Sequence, residues 1–134
     1  MNKWLVRIIL SLFFVSGMSF SSSANINDVF VPIAKYMKLG SAEKLSVWFA
    51  DNLEIEILSK SNDCSKKQAL QILKTFFKNY TPRSFKIDYK TSNNNMKYAE
   101  GTLKAGGDTF RVMFLMHFAD DEYNIHHLKI ELKK

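Results

Sequence analysis

The stretch from Thr109 to Leu132, TFRVMFLMHFADDEYNIHHLKIEL, decides the fold. Two runs rich in apolar and aromatic residues flank the polar break Asp120-Asp121-Glu122, the pattern of two strands joined by a short turn and so of an antiparallel hairpin. The first run is apolar on both faces at Val112, Met113, Phe114 and Leu115, which marks a central strand. In the second, Tyr123 and Ile125 take odd positions while Leu128, Ile130 and Leu132 take even ones. Side chains alternate with a period of two along a strand, so this one-residue slip of the apolar phase predicts a β-bulge at His126-His127.

Working outward, SFKIDYKTS (84–92) and MKYAEGTLKA (96–105) read as two more strands, with Asn93-Asn94-Asn95 and Gly106-Gly107-Asp108 as turns. The four form a meander. Upstream the period changes. Ser65 and Gln68 stand as a capping box, and Ala69, Ile72, Leu73, Phe76 and Phe77 recur at helical spacing until Pro82. LEIEIL (53–58) alternates as one further strand. A first helix capped by Asn27 or Asp28 is expected to run to Leu39 and stop at Gly40. Ser41 caps a shorter second helix that buries Leu45, Trp48 and Phe49 and gives out at Asp51-Asn52. Three helices on one face of a curved antiparallel sheet make an α+β cone, whose concave side leaves a pocket.

The first 24 residues read differently. Lys3 and Arg7 precede the apolar run Ile8–Val15, and Ser22-Ser23-Ala24 offers small residues for cleavage, the order of a signal peptide. The apolar run is too short to span a bilayer, so no membrane span is expected once residues 1–24 are removed. Residues 25–134 are then expected to form a single α+β domain, exported to the periplasm or the exterior. With Lys3 and Arg7 in the leader, 17 of the 19 basic residues remain in the domain against 13 acidic ones, an excess of four. Those lysines are dispersed rather than focused among aromatics, so nucleic acid is not an expected partner. Cys64 is the only cysteine, so the core must hold the fold without an internal disulfide.

Several of these stretches resemble a known group. KYMKLGSAEKLSVWFADNLEIEIL (35–58) is similar to the opening of the nuclear transport factor 2-like superfamily, related in fold to the cystatin-like proteins. SKKQALQILKTFFKNYTPRSFKI, KYAEGTL and TFRVMFLM resemble a narrower family of small secreted Bacteroidetes proteins of unknown function. The resemblance implies a cone with a ligand-sized hollow. The superfamily includes enzymes similar to ketosteroid isomerase, which place a tyrosine seven residues before the Gly and an aspartate six residues past the Phe-Ala-Asp aspartate. Those positions here are Ile33 and Ile57, and an isoleucine neither donates a hydrogen bond to an oxyanion nor accepts a proton.

The functional expectation is therefore a non-catalytic binding module for a small apolar ligand or a protein. Its pocket candidates are Tyr36, Trp48, Tyr98, Glu100, Met113, His126 and His127, with no catalytic residue assigned. The alternatives are an isomerase, dehydratase or hydrolase using His126 or His127 with Asp51 or Glu100, and an accessory subunit of an envelope complex. No cofactor is expected. No metal is expected either, because no carboxylate falls beside His117, His126 and His127 in the sequence pairing. Phe110, Val112 and Phe114 on one face, against Met113 and Leu115 on the other, leave a second apolar face that a homodimer would cover.

Overall fold

The computed structural model describes residues 28–134. The segment read as a signal peptide, and Asn27 as a cap, lie outside the described residues. The elements follow the order α1 (Phe30–Leu39), α2 (Ala42–Ser46), β1 (Phe49–Ile57), β2 (Lys60–Ser65), α3 (Lys66–Asn79), β3 (Pro82–Asn93), β4 (Met96–Ala105), β5 (Asp108–Ala119) and β6 (Glu122–Leu132). All six strands join in one curved sheet of order β2-β1-β6-β5-β4-β3, with the three helices on one face. The architecture is the expected α+β cone.

Local chemistry sets each helix. The Asp28 carboxylate accepts from the Phe30 amide at 2.9 Å, and Gly40 closes α1 at φ 67°, the left-handed conformation glycine adopts at least cost. Ser65 and Gln68 form the reciprocal capping box of α3, satisfying two donors that a helix start leaves orphaned. Ala69, Leu73, Phe76 and Phe77 then face the sheet.

The core lies between helices and sheet. Ile33, Met37, Leu45 and Leu73 from the helices meet Phe49, Ile55, Leu103, Phe110, Phe114, Met116, Leu128 and Ile130 from the strands, all fully or almost fully buried. Each such side chain contributes about 1.5–3 kcal/mol by leaving water. The Phe110 ring sits edge-on to Phe76 and Tyr80 at 5.3 and 5.0 Å, which ties α3 to the sheet.

Three sequence expectations need correction. First, β1 begins at Phe49, not Leu53, and α2 ends at Ser46, so Phe49–Asn52 is extended chain. Second, β2 was not anticipated. Its sequence KSNDCS has no apolar alternation, and its turn, Leu58-Ser59, takes φ 53° and 72° without the Asn or Gly that such turns favour. Third, the sheet is not wholly antiparallel, because β1 runs parallel to β6 and extends the sheet beyond the meander's last strand.

The β-bulge is where the apolar phase placed it. Leu115 pairs with His127 and Met116 with Ile125, leaving His126 as the extra residue. The bulge keeps Ile125 and Leu128 both in the core although three positions apart.

Candidate functional site

The face of the sheet away from the helices carries most of the polar candidates. It can be built row by row from the strand pairings. One row reads Tyr98, Leu115, His127, Glu54 and Asp63 across β4, β5, β6, β1 and β2. The next reads Glu100, Met113, Lys129, Glu56 and Ser61. Residues between them along each strand, such as Ala99, Phe114, Leu128 and Ile55, are buried on the helix side, which fixes the orientation of the rows. Met113 and Leu115 form the half-buried apolar centre of this face, with Tyr98 beside them.

Electrostatics organise the flank formed by β1 and β6. His127 Nε2 lies 3.4 Å from Glu54 Oε2, and Lys129 Nζ lies 3.5 Å from Glu56 Oε2 and 3.6 Å from Glu131 Oε2. His127 Nε2 is itself buried and has no hydrogen-bond partner among the described residues, so its contact with Glu54 is proximity rather than a formed hydrogen bond. Glu54, Glu56 and His127 offer ligand atoms within 4.8 Å of one another, close enough for a cation. The Lys129 ammonium already supplies positive charge to Glu56. The carboxylate beside a histidine is thus Glu54, not Asp51 or Glu100. Only the parallel β1–β6 pairing brings it there, and the alternation of Glu54 and Glu56 was the one signal of their shared side.

On the other flank, the Tyr98 hydroxyl donates to Glu100 Oε1 at 2.5 Å. Burial first, then that hydrogen bond to a carboxylate, pushes the phenol up to about 12. A phenol so held is a fixed hydrogen-bond donor rather than a base.

The histidines sit otherwise than the strand arithmetic suggested. A three-residue turn at Asp120-Asp121-Glu122 would set Ala119 opposite Tyr123 and His117 opposite Ile125; the turn is instead Asp120-Asp121 alone, at φ 52° and 64°, so Ala119 pairs with Glu122 and His117 with Asn124. His117 instead stacks on the bulged His126, with centroids 4.5 Å apart. Burial, then His117, lowers the His126 imidazole below its ordinary value. His126 also borders a hollow of about 510 Å³ with Asn52, Glu54, Asp63 and Cys64. The Cys64 thiol is pushed up by burial and by Asp63, which keeps it a neutral, weak nucleophile.

The remaining candidates point elsewhere. Tyr36 and Trp48 are half-buried against the core, with the Lys44 ammonium over the Tyr36 ring at 5.6 Å. Ile33 is in the core and Ile57 packs against it, so both isomerase-type positions are apolar in place as well as in sequence. The structure therefore brings together His127 with Glu54, His117 with His126, and Tyr98 with Glu100 and Met113. It does not gather the seven candidates around one hollow: the cone interior between them is filled by Phe49, Phe110 and Phe114.

A curved sheet wrapped on three helices, with its outer face uncovered, defines the nuclear transport factor 2-like and cystatin-like class of cone folds. Within it the chain belongs to the family described as Domain of unknown function (DUF4783), whose model matches residues 30–131. It is similar to a DUF4783 family protein from Bacteroides uniformis ATCC 8492, with 22% identity and a TM-score of 0.77 over 80% of this chain and 99% of that one. Two more distant likenesses concern fold alone. One is a domain of unknown function with a cystatin-like fold from Nostoc punctiforme, at 11% identity and a TM-score of 0.65 over 85% of this chain and 78% of that one. The other is an NTF-2 like protein of unknown function from Silicibacter pomeroyi, at 9% identity and 0.61 over 86% and 98%. No curated protein matches. Among the described residues, no helix is long and apolar enough to cross a membrane.

Proposed function

We propose that the protein is an exported, non-catalytic binding module that works through the outer face of its sheet and pairs there with a second copy of itself. The observation that carries this reading is the half-buried strip of Met113, Leu115 and Tyr98 in the middle of the face no helix covers. Apolar centres ringed by charge are the anatomy of protein interfaces.

The charge pattern supports a copy as the occupant. Glu54, Glu56 and Asp63 lie on the β1–β2 side. Lys86 and Lys104 lie on the β3–β4 side together with Asp88 and Glu100, which accept from the Thr102 and Tyr98 hydroxyls and keep their charge, while Lys129 stands beside Glu56 on the acidic side. A two-fold axis between β5 and β6 exchanges those sides, placing the acidic flank of each copy over the lysines of the other. Such an isologous contact is self-complementary by construction. The filled cone interior favours this face over an internal ligand cavity. Export rests on the charged, apolar and small-residue order of residues 1–24.

Light scattering on the purified protein tests it. A dimer at micromolar concentration is expected, and Leu115→Lys, which places a fixed charge at the centre of the face, is expected to give a folded monomer. A wild-type protein that stays monomeric at high micromolar concentration overturns the reading.

A further inference from the structure

A second surface lies at the edge of the sheet, where β2 meets α3. Strand β2 ends the sheet, so one of its edges has no strand partner among the described residues. Helix α3 follows directly and folds back alongside it, leaving a groove. Two hollows compose that groove and share Asn62 and Ile72, so they are continuous. The larger, about 810 Å³, runs past Asn62, Cys64, Lys67 and Gln71. The smaller, about 280 Å³, is bounded by Ile57, Leu58, Ile72, Phe76 and Tyr80, with Lys60 at its mouth.

Each part of this arrangement specifies something about an occupant. An open strand edge offers backbone donors and acceptors that only another extended backbone satisfies in register, the basis of strand addition. The six residues of β2 span about 20 Å at the rise of a strand, the reach of a six- or seven-residue peptide. Side chains of an added strand alternate, so every second one turns toward α3. There Lys67, Gln71, Thr75 and Asn79, at four-residue spacing, make a polar wall. The smaller hollow is larger than the roughly 150 Å³ cavity that accepts a benzene ring, so it takes one bulky apolar side chain. Leu58 is 41% exposed at its rim. Lys60 and Lys67 stand at the two ends of the groove against one acidic residue, Asp63, on its border.

We infer that the groove between β2 and α3 binds an extended acidic peptide segment of a partner protein, which adds to the edge of β2 and seats one bulky apolar side chain among Ile57, Leu58, Ile72, Phe76 and Tyr80. Acidic residues in phase with that anchor, two positions to either side of it, turn toward the same wall and meet Lys60 and Lys67. The groove shares Asp63 with the acidic flank of the outer face, and the remainder of its lining belongs to α3 and to the helix-facing side of the sheet edge.

The test is an NMR titration of the 15N-labelled protein with heptapeptides Thr-Glu-Thr-X-Thr-Glu-Thr, X being Leu, Phe or Trp, in which both acidic side chains share the phase of X. The expected result is saturable shifts confined to Lys60–Ser65 and the facing turns of α3. N-methylation of one alternate set of peptide amides abolishes them and methylation of the other set spares them. Lys67→Glu, at an exposed position that leaves the fold intact, weakens binding several-fold, and Ile72→Glu abolishes it. Absence of saturable shifts at millimolar peptide, equal binding by both methylated sets, or shifts confined to the outer face overturns the inference. Because the readout is residue-resolved, its failure is distinct from a failure of the dimer, which light scattering reads separately.

Discussion

The imidazoles of His117 and His126 stack with centroids 4.5 Å apart and planes inclined by 27°, held in that pose by the single bulged residue of β6. Partial burial first, then the neighbouring His117, opposes a positive charge on His126, and so His126 is held below its ordinary value of 6.5. The folded state therefore binds fewer protons than the unfolded one. The His126 contribution is intact above pH 6.5, is lost as pH falls from there through the lowered value, and is constant below it. Urea unfolding across this interval, above the carboxylate range, is expected to show stability falling with pH in the wild type and a flatter profile in His126→Gln. Identical profiles would contradict it.

Asp28 acts in a separate window. Burial raises its carboxyl, but its ion pair with Lys90 and the Phe30 amide outweigh that and leave it below 3.8. Its stabilisation is present above 3.8 and is lost as pH falls through the lowered value. Asp28→Asn is expected to reduce stability at neutral pH and to shrink the loss at strongly acid pH, read from thermal melts at the two conditions.

Gly101 is required by space. A Cβ built there would lie 2.4 Å from the Phe85 ring and 2.7 Å from the Lys86 carbonyl oxygen, and the second of these is backbone of the paired strand. Gly101→Ala must push β3 off β4 or displace Phe85 from its edge-on contact with Phe114 at 6.3 Å. A destabilisation of about 1–3 kcal/mol is expected by chemical denaturation. A neutral or stabilising result would mean that β3 is not held at this register.

The α3 cap gives a smaller, local effect. Ser65→Ala removes the acceptor for the Gln68 amide, 3.2 Å away, and is expected to cost about 1 kcal/mol. Ser65→Asn should restore most of that, which a volume effect at this position would not reproduce.

Tyr98 reports on the apolar strip. Its phenol should ionise near 12 in a spectrophotometric titration, and Glu100→Gln should bring it down while leaving it above the ordinary 10, since burial is the larger cause. The sign follows from the raised value: its contribution to stability is present below pH 10 and is lost as pH rises toward 12.

The sequence was most informative where apolar periodicity was strong. The capping box and the Ala69, Leu73, Phe76, Phe77 stripe yield α3, and the slipped phase around Ile125 and Leu128 yields the bulge to the residue. It was least informative where long-range pairing decides. Lys60–Ser65 is polar throughout and becomes a strand only because Leu53 and Ile55 fix β1 beside it. The proximity of Glu54 to His127 depends on a parallel contact between segments more than seventy residues apart, which no local pattern encodes. Likewise Tyr98, Glu100 and Met113 could be grouped on one strand pair, but which face the helices leave open depends on the docking of α1 and α3.

The most direct test of outer-face pairing follows the methionine methyl groups. Of the four methionines in the described residues, Met113 and Met96 lie on the outer face, and Met37 and Met116 are in the core. With 13C-labelled methionine methyls observed over a dilution series, pairing through this face predicts that the Met113 signal moves with concentration while those of Met37 and Met116 stay fixed. A Met113 signal that is invariant from low micromolar to millimolar concentration would contradict it.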